Sequence, residues 1–74
     1  QTATKFMVIQ LNGKDHTLTD RATAADLVTS LQLTGKRIAM EVNLEIIPRS
    51  SYDSHQLHEG DKIEIVHAIG GGAQ

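Results

Sequence analysis

The sequence predicts an α+β fold in which a small mixed sheet packs against one helix. Three features indicate it: an opening hairpin pattern, one amphipathic helical stripe, and a closing strand that is apolar on one face. Side by side in the sheet centre, the first and last strands would run parallel. A parallel pair needs a crossover connection, and the helix between them supplies it.

The opening hairpin is predicted from alternation and a turn signal. Residues 7–11 place Met, Ile and Leu on one face, as a half-buried strand does. Asn12-Gly13 follows, and this dipeptide suits a type I′ turn because both central positions need positive φ. Residues 14–18 are therefore expected to fold back as the second strand.

One short helix is predicted next. Thr23 can cap its first turn, and Asp26 three residues later is an acidic group at the positive end of the helix dipole. Gly35 stands just beyond, where a C-terminal cap is expected. About ten residues long, the helix needs tertiary packing for stability. Its apolar stripe has the spacing i, i+3, i+4, i+7 and consists of Ala24, Leu27, Val28 and Leu31.

A second pair of strands is predicted in the middle of the chain. Residues 37–42 alternate as a strand, Asn43-Leu44 forms a turn, and residues 45–47 form a short strand that Pro48 ends. These segments supply two further strands to the sheet.

The last third of the chain is predicted to be irregular and then extended. Residues 49–58 are polar, with Tyr52 and Leu57 as the expected anchors in the core. Glu59-Gly60-Asp61 is a turn signal, and residues 62–67 alternate as the final strand. A hairpin, a helix and three further strands in this order predict the β-grasp, or ubiquitin-like, fold.

Composition limits the classes of function. The absence of cysteine excludes a disulfide scaffold and any Cys-ligated metal site. The net charge is −2 and the seven Lys and Arg residues are scattered, so nucleic-acid binding is not expected. The apolar runs are too short to span a bilayer and no signal peptide is recognisable, which leads us to expect a cytoplasmic monomer with no membrane partner.

The C-terminal segment Gly70-Gly71-Gly72 is predicted to be a flexible tail. Three glycines near a chain end carry no Cβ and should not pack into a core, so they can enter a narrow channel and present a carboxylate there. A frayed or cloning-derived tail is the alternative. We therefore divide the chain into a leader or cloning remnant at 1–6, a domain at 7–69 and a tail at 70–74.

The chain resembles the ThiS-type sulfur carriers of thiamine biosynthesis. The resemblance runs from about Met7 to Gly72 and lies in segments 8–14, 42–49, 59–61 and 63–72. A glycine end alone is shared with ubiquitin and its relatives. The combination of Asn-Leu-Glu-Ile-Ile-Pro-Arg with Glu-Gly-Asp and that end is more specific.

This resemblance implies a sulfur-transfer cycle at the chain end. It implies that an E1-like adenylyltransferase, using ATP and Mg²⁺, activates the carboxylate of Gly72. A cysteine desulfurase or related donor then supplies sulfur to form a thiocarboxylate, which thiazole synthase consumes. Gly70 and Gly71 would be the flexible approach. The chain itself would bind no cofactor and would be a protein co-substrate rather than an enzyme.

Docking residues are expected beside the tail. Val66, Ile69 and Glu64 are the candidates, because carriers of this fold offer a sheet face next to the chain end. A wider acidic surface could also meet a basic face on an activating enzyme. Besides Glu64, its carboxylates would be Glu41, Glu45, Glu59 and Asp61.

No metal site is predicted. His55 and His58 have i, i+3 spacing, but a polar loop with no third ligand favours solvated surface histidines. Two other functions remain open. The chain could be a molybdopterin-type or other biosynthetic sulfur carrier, or a non-catalytic ubiquitin-like interaction module with an inert tail.

One feature departs from the family pattern. Ala73 and Gln74 follow Gly72, whereas such carriers usually finish at a glycine. Adenylation of Gly72 requires its free carboxylate, so we expect these two residues to be trimmed or to be an artefact of preparation.

Overall fold

Five strands and one helix follow one another along the chain in the predicted order. The structure is a computed structural model that describes residues 5–68. A turn of 3₁₀ helix, Arg49–Ser51, precedes the last strand. The elements are β1 Phe6–Leu11, β2 Lys14–Thr19, α1 Ala24–Ser30, β3 Ile38–Val42, β4 Glu45–Ile47 and β5 Lys62–His67.

All five strands form a single mixed sheet in the order β2-β1-β5-β3-β4. The β1–β2 and β3–β4 hairpins are antiparallel, and β5 is antiparallel to β3. The pairing of β1 with β5 is parallel, as the sequence predicts. The first and last strands are therefore neighbours in the sheet, and α1 lies in the connection between its two halves.

The core lies between α1 and the inner face of the sheet. Alternate side chains of β1 and β5 contribute to the core, and Ile9 and Ile63 among them are almost completely buried. Tyr52 and Leu57 are buried, which confirms their predicted role as anchors for the irregular segment. The largest fully buried side chains are Ile9, Leu27, Met40, Leu57 and Ile63.

The N-terminus of α1 is closed by a capping box. The backbone N–H of Asp26 donates to Oγ1 of Thr23 over 3.2 Å, and the backbone N–H of Thr23 donates to Oδ2 of Asp26 over 2.9 Å. Two donors that the helix leaves without intrahelical partners are thereby satisfied. Asp therefore completes the box here, although Glu or Gln is its usual member.

The C-terminus of α1 differs from the prediction. The helix has seven residues and ends at Ser30, so the expectation of a cap at Gly35 is wrong. Gln32 is the residue at positive φ, 60°, and its N–H donates to the carbonyl of Thr29. The N–H of Leu33 donates to the carbonyl of Val28 over 2.9 Å, which completes a Schellman motif. Gly35 also has positive φ, 81°, but lies in the following loop.

The other boundaries agree with the sequence within one residue. β1 begins at Phe6, which pairs with Thr19 of β2, and β3 begins at Ile38. The division into a leader, a domain and a tail stays a prediction, because residues 1–4 and 69–74 lie outside the described part of the chain.

Replacing Gln32 with glycine should stabilise the protein. A non-glycine residue in the left-handed region costs about 1 to 2 kcal/mol, and glycine removes that cost at the position that ends α1. We expect Gln32→Gly to raise the free energy of unfolding in urea by about 1 kcal/mol. Gln32→Ala removes the same side chain but keeps the unfavourable backbone, so it should give no stabilisation; equal stabilisation by both variants would contradict the account.

Candidate functional site at the end of the last strand

The structure places the predicted docking residues on β5. Glu64 and Val66 lie on its outer face, away from α1, and both are exposed. Ile69 and the acceptor segment Gly70-Gly71-Gly72 lie outside the described residues, so their roles stay predictions. The candidate site is therefore the central strand from which the chain end continues, together with the residues that hold this strand.

Along one edge, β5 is held by β3. Register pairs run from Val42–Ile63 to Ile38–His67. At the two ends, the N–H of Asn43 donates to the carbonyl of Lys62 over 2.7 Å and that of Ala68 donates to the carbonyl of Arg37 over 2.9 Å. The pairing with β3 thus extends to the last residue that the structure describes.

Along the other edge, β5 is held by β1 and by the turn that follows it. The β1–β5 register contains the pairs Gln10–Lys62 and Leu11–Ile63. Beyond them, the N–H of Asn12 donates to the carbonyl of Ile63 over 2.8 Å. Oδ1 of Asn12 then accepts from the N–H of Ile65 over 2.9 Å, while its Nδ2 donates to the carbonyl of Ile65 over 3.3 Å.

Asn12 therefore has two functions in one turn. Its φ of 52° fits the hairpin turn, as the sequence predicts. Its side-chain amide also imitates a backbone peptide and extends the parallel ladder to Ile65, four residues before Ile69. The second function has no local sequence signal, because it depends on which strand lies beside the turn.

The predicted turn before β5 ties this strand to the N-terminal hairpin. Oε1 of Glu59 accepts from the N–H of Val8 over 2.8 Å, and the N–H of Gly60 donates to the carbonyl of Val8 over 2.9 Å. The carbonyl of Asp61 accepts from the N–H of Gln10 over 2.9 Å. Gly60 has a φ of 83°, so the turn needs a glycine at that point.

Asp61 links this turn to the β3–β4 hairpin. Its Oδ1 accepts from Nδ2 of Asn43 over 3.0 Å, and its Oδ2 accepts from the N–H of His58 over 2.8 Å. Oδ1 of Asn43 in turn accepts from the N–H of Lys62 over 3.0 Å. The first residue of β5 is thus fixed by both neighbouring hairpins.

These hydrogen bonds separate the carboxylates of the predicted acidic surface into two groups. Glu59 and Asp61 accept hydrogen bonds that hold the start of β5, so these carboxylates have structural partners. Glu41 and Glu64 stand directly opposite each other on β3 and β5, on the outer face. Of the predicted carboxylates, this pair lies on the same outer face of the sheet as the predicted docking residue Val66.

Large apolar side chains are exposed on the same half of the sheet. Val66 has 58% of its surface exposed and Ile46 has 70%. Leu44, in the β3–β4 turn, has 88% exposed and a φ of 72°. Val66 is expected from the sequence on an open sheet face, but the sequence does not distinguish Ile46 and Leu44 from core residues, because apolar type alone does not tell which face of a strand is covered.

The histidines of the irregular loop do not converge on a metal-like site. Nδ1 of His58 lies 4.0 Å from Oδ2 of Asp61, and the side chain of His58 is largely exposed. Within residues 5–68 there is no group of three or more His, Cys, Asp and Glu side chains that could hold a metal ion. Nor does that part of the chain contain a helix long and apolar enough to cross a bilayer.

A groove of about 240 Å³ lies on the helix side, and its lining includes Ile38, which pairs with His67 at the end of β5. Its walls come from α1 and the loops around Gly35 and Arg49, and Nη2 of Arg49 donates to the carbonyl of Lys36 over 3.0 Å. The polar lining residues are Thr34, Lys36, Arg49, Tyr52 and Asp53. This set contains no histidine, cysteine or serine that could act as a base or a nucleophile.

Comparison with known proteins relates the chain to sulfur carriers. The ThiS family model matches residues 9–72. The chain is 46% identical over 66 residues to the sulfur carrier protein ThiS of Bacillus subtilis, and the alignment covers 88% of this chain and 100% of that protein. The crystal structure of the thiamine biosynthesis protein ThiS from Geobacter metallireducens has a TM-score of 0.78 at 26% identity. It covers 89% of this chain and 100% of that one, which confirms the β-grasp fold.

A second kind of relative is much longer. The chain is 39% identical over 67 residues to a thiazole synthase of Paramagnetospirillum magneticum, an alignment that covers 90% of this chain. It covers 21% of that protein, so the chain spans about a fifth of this relative's length.

The amide of Asn12 should control the local stability of β5. Asn12→Gly keeps a residue that favours positive φ but removes both side-chain hydrogen bonds to Ile65. We expect the Ile65 amide to exchange with solvent about tenfold faster, because it loses its acceptor.

The opposite edge of β5 provides the internal control. The Ala68 amide, which donates to the carbonyl of Arg37, should keep its protection in the same Asn12→Gly spectrum. Unchanged exchange at Ile65, measured by NMR, would contradict the role assigned to Asn12.

Proposed function

The chain belongs to the ThiS family, and from this membership we propose that it is a sulfur carrier serving thiazole formation in thiamine biosynthesis. The observation that carries the proposal is the match over residues 9–72, together with 46% identity to the entire Bacillus carrier. The likeness to a thiazole synthase points to the same pathway and to that enzyme as a partner.

The proposed reactive group is the carboxylate of Gly72. A carboxylate is a poor electrophile, because its charge is delocalised and oxide would have to leave. Attack of a carboxylate oxygen on the α-phosphorus of ATP gives an acyl adenylate and releases pyrophosphate. A sulfur nucleophile at the oxidation level of hydrosulfide then attacks the acyl carbon and expels AMP. The net result is the exchange of one oxygen for sulfur at the chain end.

Activation is proposed to occur in an E1-like adenylyltransferase. That partner is proposed to bring the Mg²⁺ and the cationic groups that bind ATP. A cysteine desulfurase or related donor is proposed as the source of sulfur. Because such an enzyme holds the sulfur as a persulfide, a thiol is proposed to reduce it to hydrosulfide and to be oxidised to a disulfide in that step. In this scheme the chain is a co-substrate without catalytic activity of its own, and we expect it to act in the cytoplasm.

The architecture suits this role because β5 is held on both edges, whereas the proposed acceptor segment that follows it consists of glycines. β5 is held on one edge by β3 and on the other by β1 and Asn12, so its direction is defined up to Ala68. The glycines at 70–72 have no side chains and present only backbone to a channel. Val66, Glu64 and Ile69 remain the proposed docking residues beside that end.

Loading at Gly72 should require a free carboxylate there. We expect a chain ending at Gly72 to gain the mass of one oxygen-to-sulfur exchange when incubated with activating enzyme, ATP, Mg²⁺ and a sulfur donor. Intact-protein mass spectrometry measures this directly.

The 74-residue chain is the matched control, because Ala73 and Gln74 occupy the position of the free carboxylate. It should stay unmodified unless it is trimmed. Equal loading with both residues still attached would refute Gly72 as the acceptor. Absence of loading on the shorter chain would refute the carrier function and favour an inert interaction module.

Adding one methyl group near the end should slow activation. In a chain ending at Gly72, Gly71→Ala introduces a Cβ into the segment that must enter the partner's channel. We expect kcat/KM for adenylation, measured by pyrophosphate release, to fall at least about tenfold. Thr29→Ala on the exposed side of α1 should leave kcat/KM unchanged, and an unchanged value for Gly71→Ala would contradict entry into a narrow channel.

A further inference from the structure

The two hairpins use similar turns with different residues. In β1–β2 the two turn residues are Asn12 and Gly13, at φ 52° and 85°, and in β3–β4 they are Asn43 and Leu44, at φ 52° and 72°. Glycine adopts such an angle without steric cost, whereas leucine does not. Leu44 is also 88% exposed, so burial within the fold does not offset the backbone cost.

A second unfavourable feature lies in the same half of the sheet. Glu41 of β3 is directly opposite Glu64 of β5, and like charges in opposing positions destabilise a sheet. On the other side of Glu41 stands Ile46 of β4, which is 70% exposed. The outer face therefore carries two carboxylates and an isoleucine in one cross-strand row, with Leu44 in the adjoining turn.

These features oppose folding but fit a partner of complementary chemistry. An apolar recess would cover Leu44 and Ile46, and Lys or Arg side chains at its rim would relieve the repulsion between Glu41 and Glu64. Strained and exposed residues that the fold itself does not need point to a function outside the fold.

We propose that Glu41, Leu44, Ile46 and Glu64 form a docking surface for an apolar recess with a basic rim on thiazole synthase. The proposal rests on the proposed function. Thiazole synthase is the partner because a relative of that name contains a region 39% identical to this chain. In such a protein the carrier-like region and the synthase belong to one chain, so the surface of the carrier-like region stays close to that of the synthase.

The docking surface extends along β5 from the β3–β4 turn, where Leu44 lies at the opposite end from the tail, to Glu64 in the middle of the strand. The β3–β4 turn is beside Lys62, whereas the chain continues toward the glycines from His67. Six residues of strand separate the two points by about 17 Å. The partner can therefore gain affinity from Leu44 at a point that is distant from the last described residue of the chain.

Leu44→Gly provides a test with two readouts of opposite sign. It should raise the melting temperature by roughly 3 to 6 °C, because glycine fits the turn. It should weaken binding to purified thiazole synthase, measured by isothermal titration calorimetry with the 74-residue chain, at least about tenfold. A lower melting temperature, or an affinity within twofold of the unaltered chain, would overturn the proposal.

Gln32→Gly is the matched control, since it also replaces a positive-φ residue but at the end of α1. It should raise the melting temperature and leave the affinity unchanged. Loss of affinity in this variant would mean that stabilisation itself reduces binding, and would overturn the role of Leu44.

The charged part of the surface has its own test. Glu64→Gln removes the repulsion with Glu41, so it should stabilise the sheet slightly while it weakens binding and reduces the dependence of affinity on salt. Unchanged salt dependence would overturn the basic rim. Sulfur loading of a chain ending at Gly72, measured by mass, tests the proposed carrier function in the absence of thiazole synthase. Normal loading combined with unchanged binding of Leu44→Gly would therefore refute the docking proposal alone.

Discussion

The position of β5 between β1 and β3 is the constraint on which the rest of the molecule depends. This strand contributes Ile63 and Ile65 to the core and continues toward the chain end. Its antiparallel edge is long, but its parallel edge has only two register pairs. The amide of Asn12 lengthens the short edge, and the turn at Glu59-Gly60-Asp61 anchors its start. The sheet therefore holds the strand that matters for function through side chains as well as through backbone pairing.

Most of the fold follows from periodicity and turn chemistry. Alternating strands, the Asn12-Gly13 turn and one amphipathic stripe suffice to predict the parallel central pair of β1 and β5, because a crossover through the helix can join these strands. The end of the helix does not follow in this way. Gly35 is the residue with the strongest local preference for a cap, but the chain leaves the helix earlier, at Gln32. Packing of Leu33 and Ile38 against the core accompanies this early exit, and local propensity does not encode it.

The candidate site also has one part that the sequence predicts and another that it does not. The proposed acceptor segment can be recognised from the sequence, since three consecutive glycines have a limited set of uses. The residues around it cannot, because their roles depend on which strand lies opposite. Glu41 and Glu64 are distant in sequence and become a repelling pair only in the antiparallel register. Likewise, the sequence shows Leu44 only as an apolar residue, and its positive φ and its exposure are known only from the structure.

The parallel pairing of β1 with β5 has a consequence for how the molecule is made. Gln10 and Lys62 are neighbours in the sheet but are far apart in sequence, so β1 cannot pair with β5 until the ribosome has synthesised the segment between them. The β1–β2 hairpin, the helix and the β3–β4 pair cannot complete the sheet until β5, the last of the described strands, has been synthesised. A nascent or truncated polypeptide without β5 lacks the middle of its sheet. The glycine segment follows β5 in the sequence, so it is synthesised only after every strand of the described sheet.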